Sequence, residues 1–383
     1  MNILGYAPQM AAYGGMERHV CGLAAVLSQR GHRVTLMTTS NSLARPLRDP
    51  LLERGVEFRE LARNRGAAAR WQKLGWLLRE TLRSRRTRWD VIYTNGQSGL
   101  ARLPWFAAGS QTRIIHHHHT AADAAEQATW SGSFRRVLRA APEIVACSRA
   151  TQEALNVALR RADVRYLPYL TQSPVEAAAV REQTYSATAT LHFGFTGRLV
   201  AEKGVDFICA LSRLPELAHI TWHVHGAGDA YPPSFFVSYP KIVYHGPYSS
   251  GPAQAAILQN LDAVVLFSTH NEGMPLSLIE AMSAGLPWIA TDRGGTRELA
   301  ISERNCLVVS HPATRETLTA AVLEMSDRIR RYRTSRSAQR RVYDQTFAPE
   351  VVGEQWCRYF ENREIHPVVS RPDVDSPVLT HRG

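Results

Sequence analysis

Short apolar runs alternate with longer amphipathic ones through the first half of the chain. "NILGYAP" (2–8) has the pattern of a buried strand, and "GMERHVCGLAAVLSQRG" (15–31) has helical spacing with Gly31 as its stop. "HRVTLMTT" (32–39), "WDVIYTN" (89–95), "TRIIHHH" (112–118) and "PEIVACS" (142–148) repeat the strand pattern, each followed by a helical stretch. Strand–helix alternation of this kind predicts a parallel sheet covered on both faces. The pattern fails over 166–190, where Pro168 and Pro174 fall in a stretch without sustained period. It restarts with "LHFGFTG" (191–197), "ITWHVHG" (220–226), "IVYHG" (242–246), "AVVLFST" (263–269) and "PWIATD" (287–292). One long helical pattern covers about 313–343 and another 349–362. The expected fold class is α/β, with two doubly wound Rossmann-like domains facing across a cleft. Their bounds are 1–170 and 191–345, with a linker at 171–190 and a Pro-rich, disordered tail at 366–383.

Composition narrows the partners without choosing one. At 383 residues the chain is too long for one ordinary core, and 44% hydrophobic with 21% charged residues is typical of a globular protein. The net charge of +11 favours an anionic partner: nucleic acid, anionic lipid or a phosphorylated substrate. Cys21, Cys147, Cys209, Cys306 and Cys357 are scattered, with no C-x-x-C, which suits reduced thiols and argues against a zinc site. "MNILGYAP" enters a strand directly, so no signal peptide is expected. No apolar run reaches the ~18 residues of a membrane span. The expected location is therefore cytoplasmic.

The densest chemistry lies in "NEGMPLSLIEAMSAGLPWIATDRGG" (271–295). A buried-strand run precedes it, so Glu272 falls in a loop at the strand's carboxyl end. Pro275 fits a first helical turn and Gly285 a helix stop. The free N–H groups near 274–277 would suit a phosphate. Glu280, one to two turns inside, could accept hydrogen bonds from a ribose diol or could simply be a helix-dipole or surface charge. In "FTGRLVAEKGVDF" (195–207), Arg198 and Lys203 follow a strand. They could neutralise a diphosphate or form a solvated basic loop. "YGGMERH" (13–19) lets backbone approach a ligand before a helix, but it is not G-x-G-x-x-G, which disfavours a nicotinamide oxidoreductase.

Together these blocks resemble the family 4 glycosyltransferases of the GT-B fold, over roughly residues 2–345. The resemblance implies a retaining, metal-independent transferase that takes a nucleotide-sugar donor as co-substrate and needs no cofactor. By position it implies that Arg198 and Lys203 hold the donor diphosphate, Glu280 the ribose and Glu272 the transferred sugar. The backbone of Gly273, Met274, Pro275, Leu276 and Ser277 would line the sugar and phosphate site, and Gly15 would approach the phosphates. The first domain would be the acceptor side, the second would bind the nucleotide sugar, and a helix at 346–365 would pack back on the first. The acceptor would be a glycan or lipid-linked, in cell-surface polysaccharide or lipopolysaccharide synthesis. A sugar-nucleotide epimerase of the same fold and a basic polyanion-binding protein are the alternatives; no nucleic-acid module is recognisable.

Two further stretches carry expectations. "RIIHHHHT" (113–120) ends a strand where family members often place a histidine near the donor sugar, which makes His118 and His119 candidates. A metal-binding tract or a structural histidine explains the run equally well. "RWQKLGWLLRETLRSRRTRW" (70–89) reads as a helix to about 86. At ~100° per residue Trp71, Leu74, Leu78 and Leu82 share one face, expected to pack inward. Lys73, Trp76, Arg79, Arg83 and Arg86 spread over the other side, where a tryptophan among cations suits an anionic membrane surface; a solvated helix face packed by its leucine side is the alternative.

Overall fold

The computed structural model describes residues 1–8, 14–38, 45–61, 69–186 and 188–363. Tyr13, the Arg70 side chain and the expected disordered tail lie outside the described residues. The chain forms two compact units, Met1–Gln172 with the helix Pro349–Phe360, and Ser173–Ala348.

Among the described residues the first unit holds seven strands: β1 Asn2–Ala7, β2 Arg33–Thr38, β3 Glu57–Glu60, β4 Val91–Asn95, β5 Arg113–His118, β6 Glu143–Ala146 and β7 Arg165–Tyr166. All pair in parallel, in the order β3-β2-β1-β4-β5-β6-β7. β1 shows why such strands read as continuous apolar runs. Ile3 and Ala7 join one core, while Leu4 and Tyr6 join another on the opposite face. The helix Pro349–Phe360 completes the first of these cores with Val352, Trp356 and Phe360, and Trp356 Nε1 donates to the Pro168 carbonyl at 2.8 Å. Burying Val352 and Phe360 alone contributes roughly 1.5–3 kcal/mol each.

The second unit holds β8 Leu191–Thr196, β9 Ile220–His225, β10 Ile242–Gly246, β11 Ala263–Leu266, β12 Trp288–Thr291 and β13 Cys306–Val309. They too are parallel, in the order β10-β9-β8-β11-β12-β13. Part of the expected linker packs here: Tyr185 donates to Asp262 at 2.7 Å, and Glu182 accepts the backbone N–H groups of Arg336 and Ser337. The helical pattern at 313–343 is two helices, Arg315–Arg330 and Arg336–Thr346. The chain breaks where Tyr332 takes a left-handed φ of 54°, and Ser335 caps the second helix through the Ala338 N–H.

The helix Ala69–Ser84 turns the opposite way from the sequence expectation. Trp76 is 7% exposed and sits in the core with Leu77, and Glu80, Thr81 and Ser84 share its buried face. Trp71, Leu78 and Leu82 are instead exposed, at 73%, 43% and 61%. Hydrophobicity misleads here because half of the inward face is polar. Ser84 on this face is fully partnered: it accepts from Trp89 Nε1 at its carbonyl and from Arg59 at its hydroxyl, both at 2.8 Å.

The four-histidine run alternates across β5, as a strand's two-residue period requires. His116 and His118 face Phe134. His117 faces the other way, toward His19 and Trp356. The Leu170 N–H donates to His19 Nδ1 at 2.9 Å, which leaves Nε2 to face the Tyr93 hydroxyl at 3.1 Å; that hydroxyl lies 2.6 Å from His117 Nδ1. His19, His116 and His117 are built into the core as neutral groups. Burial pushes His19 and His116 down from 6.5 to about 3. The unfolded chain therefore binds more protons than the folded one between those values. Stability is expected to be complete above pH 6.5 and to fall as pH drops toward 3, by up to about 1.4 kcal/mol per pH unit for each such histidine. Urea unfolding at stepped pH checks this, and a flat profile across the acid half of that window contradicts it.

Candidate functional site

In an open parallel sheet, ligands bind beyond the carboxyl ends of the strands, where neighbouring connections diverge. In the second sheet that point lies between β8 and β11: β8 leads to β9 on one side, β11 to β12 on the other. The loops after these two strands carry Arg198, Lys203 and Glu272.

An ion pair ties the two loops together. Lys203 Nζ donates to both carboxylate oxygens of Glu272, at 2.6 and 2.7 Å. Ser268 Oγ also donates to this carboxylate, and His270 Nε2 lies 3.8 Å away. Burial pushes the Glu272 carboxyl up, but Lys203, His270 and Ser268 outweigh it and hold the group below its ordinary value. Arg198 differs: it is exposed, and no hydrogen bond or ion pair holds its side chain among the described residues.

Gly204 makes this close approach possible, and Gly294 lets the loop after β12 (Trp288–Thr291) pack against the Glu272 backbone. A Cβ on Gly204 (φ 73°) would lie 2.0 Å from the Phe267 carbonyl oxygen, at the end of β11. A Cβ on Gly294 (φ 58°) would lie 2.1 Å from the Glu272 carbonyl oxygen, which accepts the Gly295 N–H at 2.9 Å. Any side chain at either position would drive the loops apart.

The helix Leu276–Ser283 opens just behind Glu272. Pro275 stands at its N-cap, one residue earlier than its expected place in the first turn, and the Leu278 N–H donates to the Pro275 carbonyl at 3.1 Å. The N–H groups of Leu276 and Ser277 precede any helical acceptor, so the positive end of the helix stands beside the ion pair. Met274 is buried, while Gly273 and Ser277 are half-buried. Glu280 lies in the second turn at 3% exposure, which rules out the surface-charge reading. This edge thus offers one exposed guanidinium, an ammonium shared with a carboxylate, and oriented N–H groups. Such an arrangement suits a phosphorylated ligand.

In the first unit Gly15 begins the helix Gly15–Gln29, with Gly14 at the N-cap. His118 is buried against Trp130 and Phe134, its Nε2 3.0 Å from Glu126. Glu126 also accepts from Gln97, Thr120 and the Ala122 N–H, and these bonds with His118 outweigh burial and lower it to about 2. His119 stands past the end of β5 and is half-buried. Its ring stacks on Tyr169, and Nε2 lies 2.6 Å from Asn95 Oδ1. Burial, with His19 and His118, holds His119 well below its ordinary value. Sequence reasoning missed Glu126, Asn95, Tyr169, Ser268 and His270, because each matters only through a partner remote from it or across a turn. A polar residue ending a buried strand, as in Asn95, was the one available signal.

Comparison with known proteins covers both units. The family described as "Glycosyl transferases group 1" matches residues 190–328, and "Glycosyltransferase Family 4" matches residues 13–168. A D-inositol 3-phosphate glycosyltransferase of Xylanimonas cellulosilytica is 26% identical over 380 residues, covering 86% of this chain and 88% of that protein. Anabaena Alr3699/HepE, solved with UDP and glucose, superposes with a TM-score of 0.71 at 16% identity, over 94% of this chain and 100% of that one. The sucrose-phosphate synthase of Thermosynechococcus elongatus gives a TM-score of 0.71 at 17% identity, over 94% and 98%. At such identities the two structures speak for the fold alone.

The ion pair has a stability signature. Lys203→Met strands a buried carboxylate and is expected to cost about 3 kcal/mol, whereas Lys203→Met with Glu272→Gln should recover most of it. Denaturant unfolding of both variants measures the difference; equal losses would mean that the two side chains are not coupled.

Proposed function

Because the chain belongs to the family 4 glycosyltransferases of the GT-B fold and uses a nucleotide-sugar donor, we propose that it is a retaining enzyme. It transfers the sugar of a UDP- or GDP-sugar to a glycan or lipid-linked acceptor in bacterial cell-surface polysaccharide synthesis. The observation that carries this reading is the Lys203–Glu272 pair beside Arg198 and the start of the helix Leu276–Ser283. Arg198, Lys203 and the N–H groups of Leu276 and Ser277 receive the donor diphosphate. Glu280 takes the ribose diol, and Glu272 contacts the transferred sugar while orienting Lys203. His119, past the end of β5, is better placed for a ligand than His118, which its burial against Phe134 gives a supporting role.

Transfer then proceeds on one face of the sugar. The bond from the anomeric carbon to the leaving phosphate oxygen breaks as the bond to the acceptor oxygen forms, and the phosphate takes the acceptor's proton. Prepositioned positive charge stabilises the departing diphosphate most where that charge grows. Protein cations fill this role in the proposal, so no metal ion is required.

A thermal-shift series with UDP, GDP and their sugars, with and without EDTA, tests the donor site. Anabaena Alr3699/HepE, which shares this fold, was solved with UDP and with UDP-glucose, so UDP comes first. One base should raise the melting temperature regardless of EDTA, by mass action on the native state. Arg198→Ala should lower kcat/KM by about 100-fold, which is ~2.7 kcal/mol of transition-state stabilisation. Full activity in that variant would remove Arg198 from the donor site.

We further propose that the exposed Trp71, Leu78 and Leu82 face, with Arg79, Arg83 and Arg86 exposed along the same helix and the turn after it, rests on an anionic bilayer carrying a lipid-linked acceptor. No helix among the described residues is long and apolar enough to cross a membrane. Trp71→Ala with Leu82→Ala should weaken binding to anionic liposomes at unchanged melting temperature, and equal binding would overturn the docking face.

A further inference from the structure

Four histidines apart from the donor-site residues stand together on three adjacent strands of the second sheet: His192 on β8, His223 and His225 on β9, and His245 on β10. On β9, Trp222 and Val224 point into the core, so His223 and His225 share the opposite face. The β10 register shifts between Tyr244 and Gly246, and this irregularity sets His245 over His225, with ring centroids 4.1 Å apart and planes within 6°. His223 bridges its neighbours: Nδ1 lies 2.9 Å from His245 Nε2, and Nε2 lies 2.9 Å from His192 Nδ1.

We propose that His223, His225 and His245 form a binding site for one divalent transition-metal ion of the zinc, nickel or copper type. One ring nitrogen from each lies within 4.8 Å of the other two. Bonds of ~2.0–2.1 Å in a tetrahedral set place ligand nitrogens ~3.3 Å apart, so the His225 and His245 rings turn out of their parallel stack to close the site. An all-imidazole set selects these ions over calcium and magnesium, which take oxygen. His192 completes the arrangement from behind: with His223 coordinating through Nδ1, its Nε2–H donates to His192 and fixes the ring. Access comes from the sheet edge, because β10 is the outer strand and His245 is exposed.

The bound ion clamps β9 to β10 at the carboxyl edge of the sheet. There the Gly197 N–H donates to the His225 carbonyl at 3.0 Å, and Gly226 donates to the Gly246 carbonyl at 2.8 Å. Gly197 immediately precedes Arg198, so the clamp steadies the root of that loop. The site takes no part in sugar transfer and stands whether or not the proposed donor is right.

The test uses the full chain without an affinity tag, stripped with EDTA and dialysed. ZnCl2 and NiCl2 are titrated separately by calorimetry, with bound metal counted by elemental analysis. One ion per chain should bind and raise the melting temperature. His245→Gln, at an exposed edge position, should weaken binding at least tenfold, and His192→Gln by about tenfold with the stoichiometry unchanged. Circular dichroism confirms that the variants fold. Binding well below one ion per chain in the wild type, or equal affinity in wild type and His245→Gln, overturns the site.

Discussion

The bidentate pair between Lys203 and Glu272 holds the site together. It joins the loop after β8 to the loop after β11, two segments that the sheet order makes neighbours although 69 positions separate them. Other features of this edge follow from it. Gly204 lets the two backbones come near enough for the bond to form, and Gly294 lets the loop after β12 pack against the Glu272 backbone. Ser268 completes the carboxylate's hydrogen bonding, and the start of the helix Leu276–Ser283 comes to lie beside it. A carboxylate so enclosed stays ionised because Lys203, His270 and Ser268 outweigh its burial. The edge therefore carries less free positive charge than two unpaired cations would. Arg198 is the exposed cation of the set, and Lys203 is the poised one.

The first unit solves a different problem with the same economy of neutral groups. Imidazoles fill core positions, and a chain of hydrogen bonds runs from the Leu170 N–H through His19 and the Tyr93 hydroxyl to His117 Nδ1. The second unit repeats the device on the exposed face of β8, β9 and β10, where the imidazoles remain reachable from solvent. The difference in access separates a packing cluster from a ligand set. A contiguous run of histidines divides between the two faces of a strand, whereas histidines scattered over three strands converge.

The helix Ala69–Ser84 shows how a correct pattern can be assigned to the wrong face. Its period is legible, and so is its amphipathic character. Which side faces inward depends on Trp89, Arg59 and Ser84, whose mutual hydrogen bonds make a polar stripe a suitable neighbour for the core. Trp76 therefore lies inside, and the apolar Trp71, Leu78 and Leu82 are left beside the arginines.

The sequence by itself determined the α/β class, the two-unit organisation and the local chemistry of the Arg198 and Glu272 loops. Buried parallel strands are short apolar runs, and helix starts are marked by their own residues, so this information is local. The edge strands β3 and β7, charged and lacking an apolar run, escaped it for the same reason. Only the tertiary structure decided that Lys203 pairs with Glu272, that Glu280 is buried, that His118 turns inward while His119 reaches the strand end, and that His223, His225 and His245 meet. Each of these depends on strand order and register, which bring together side chains from distant parts of the chain, and no local pattern encodes such a meeting.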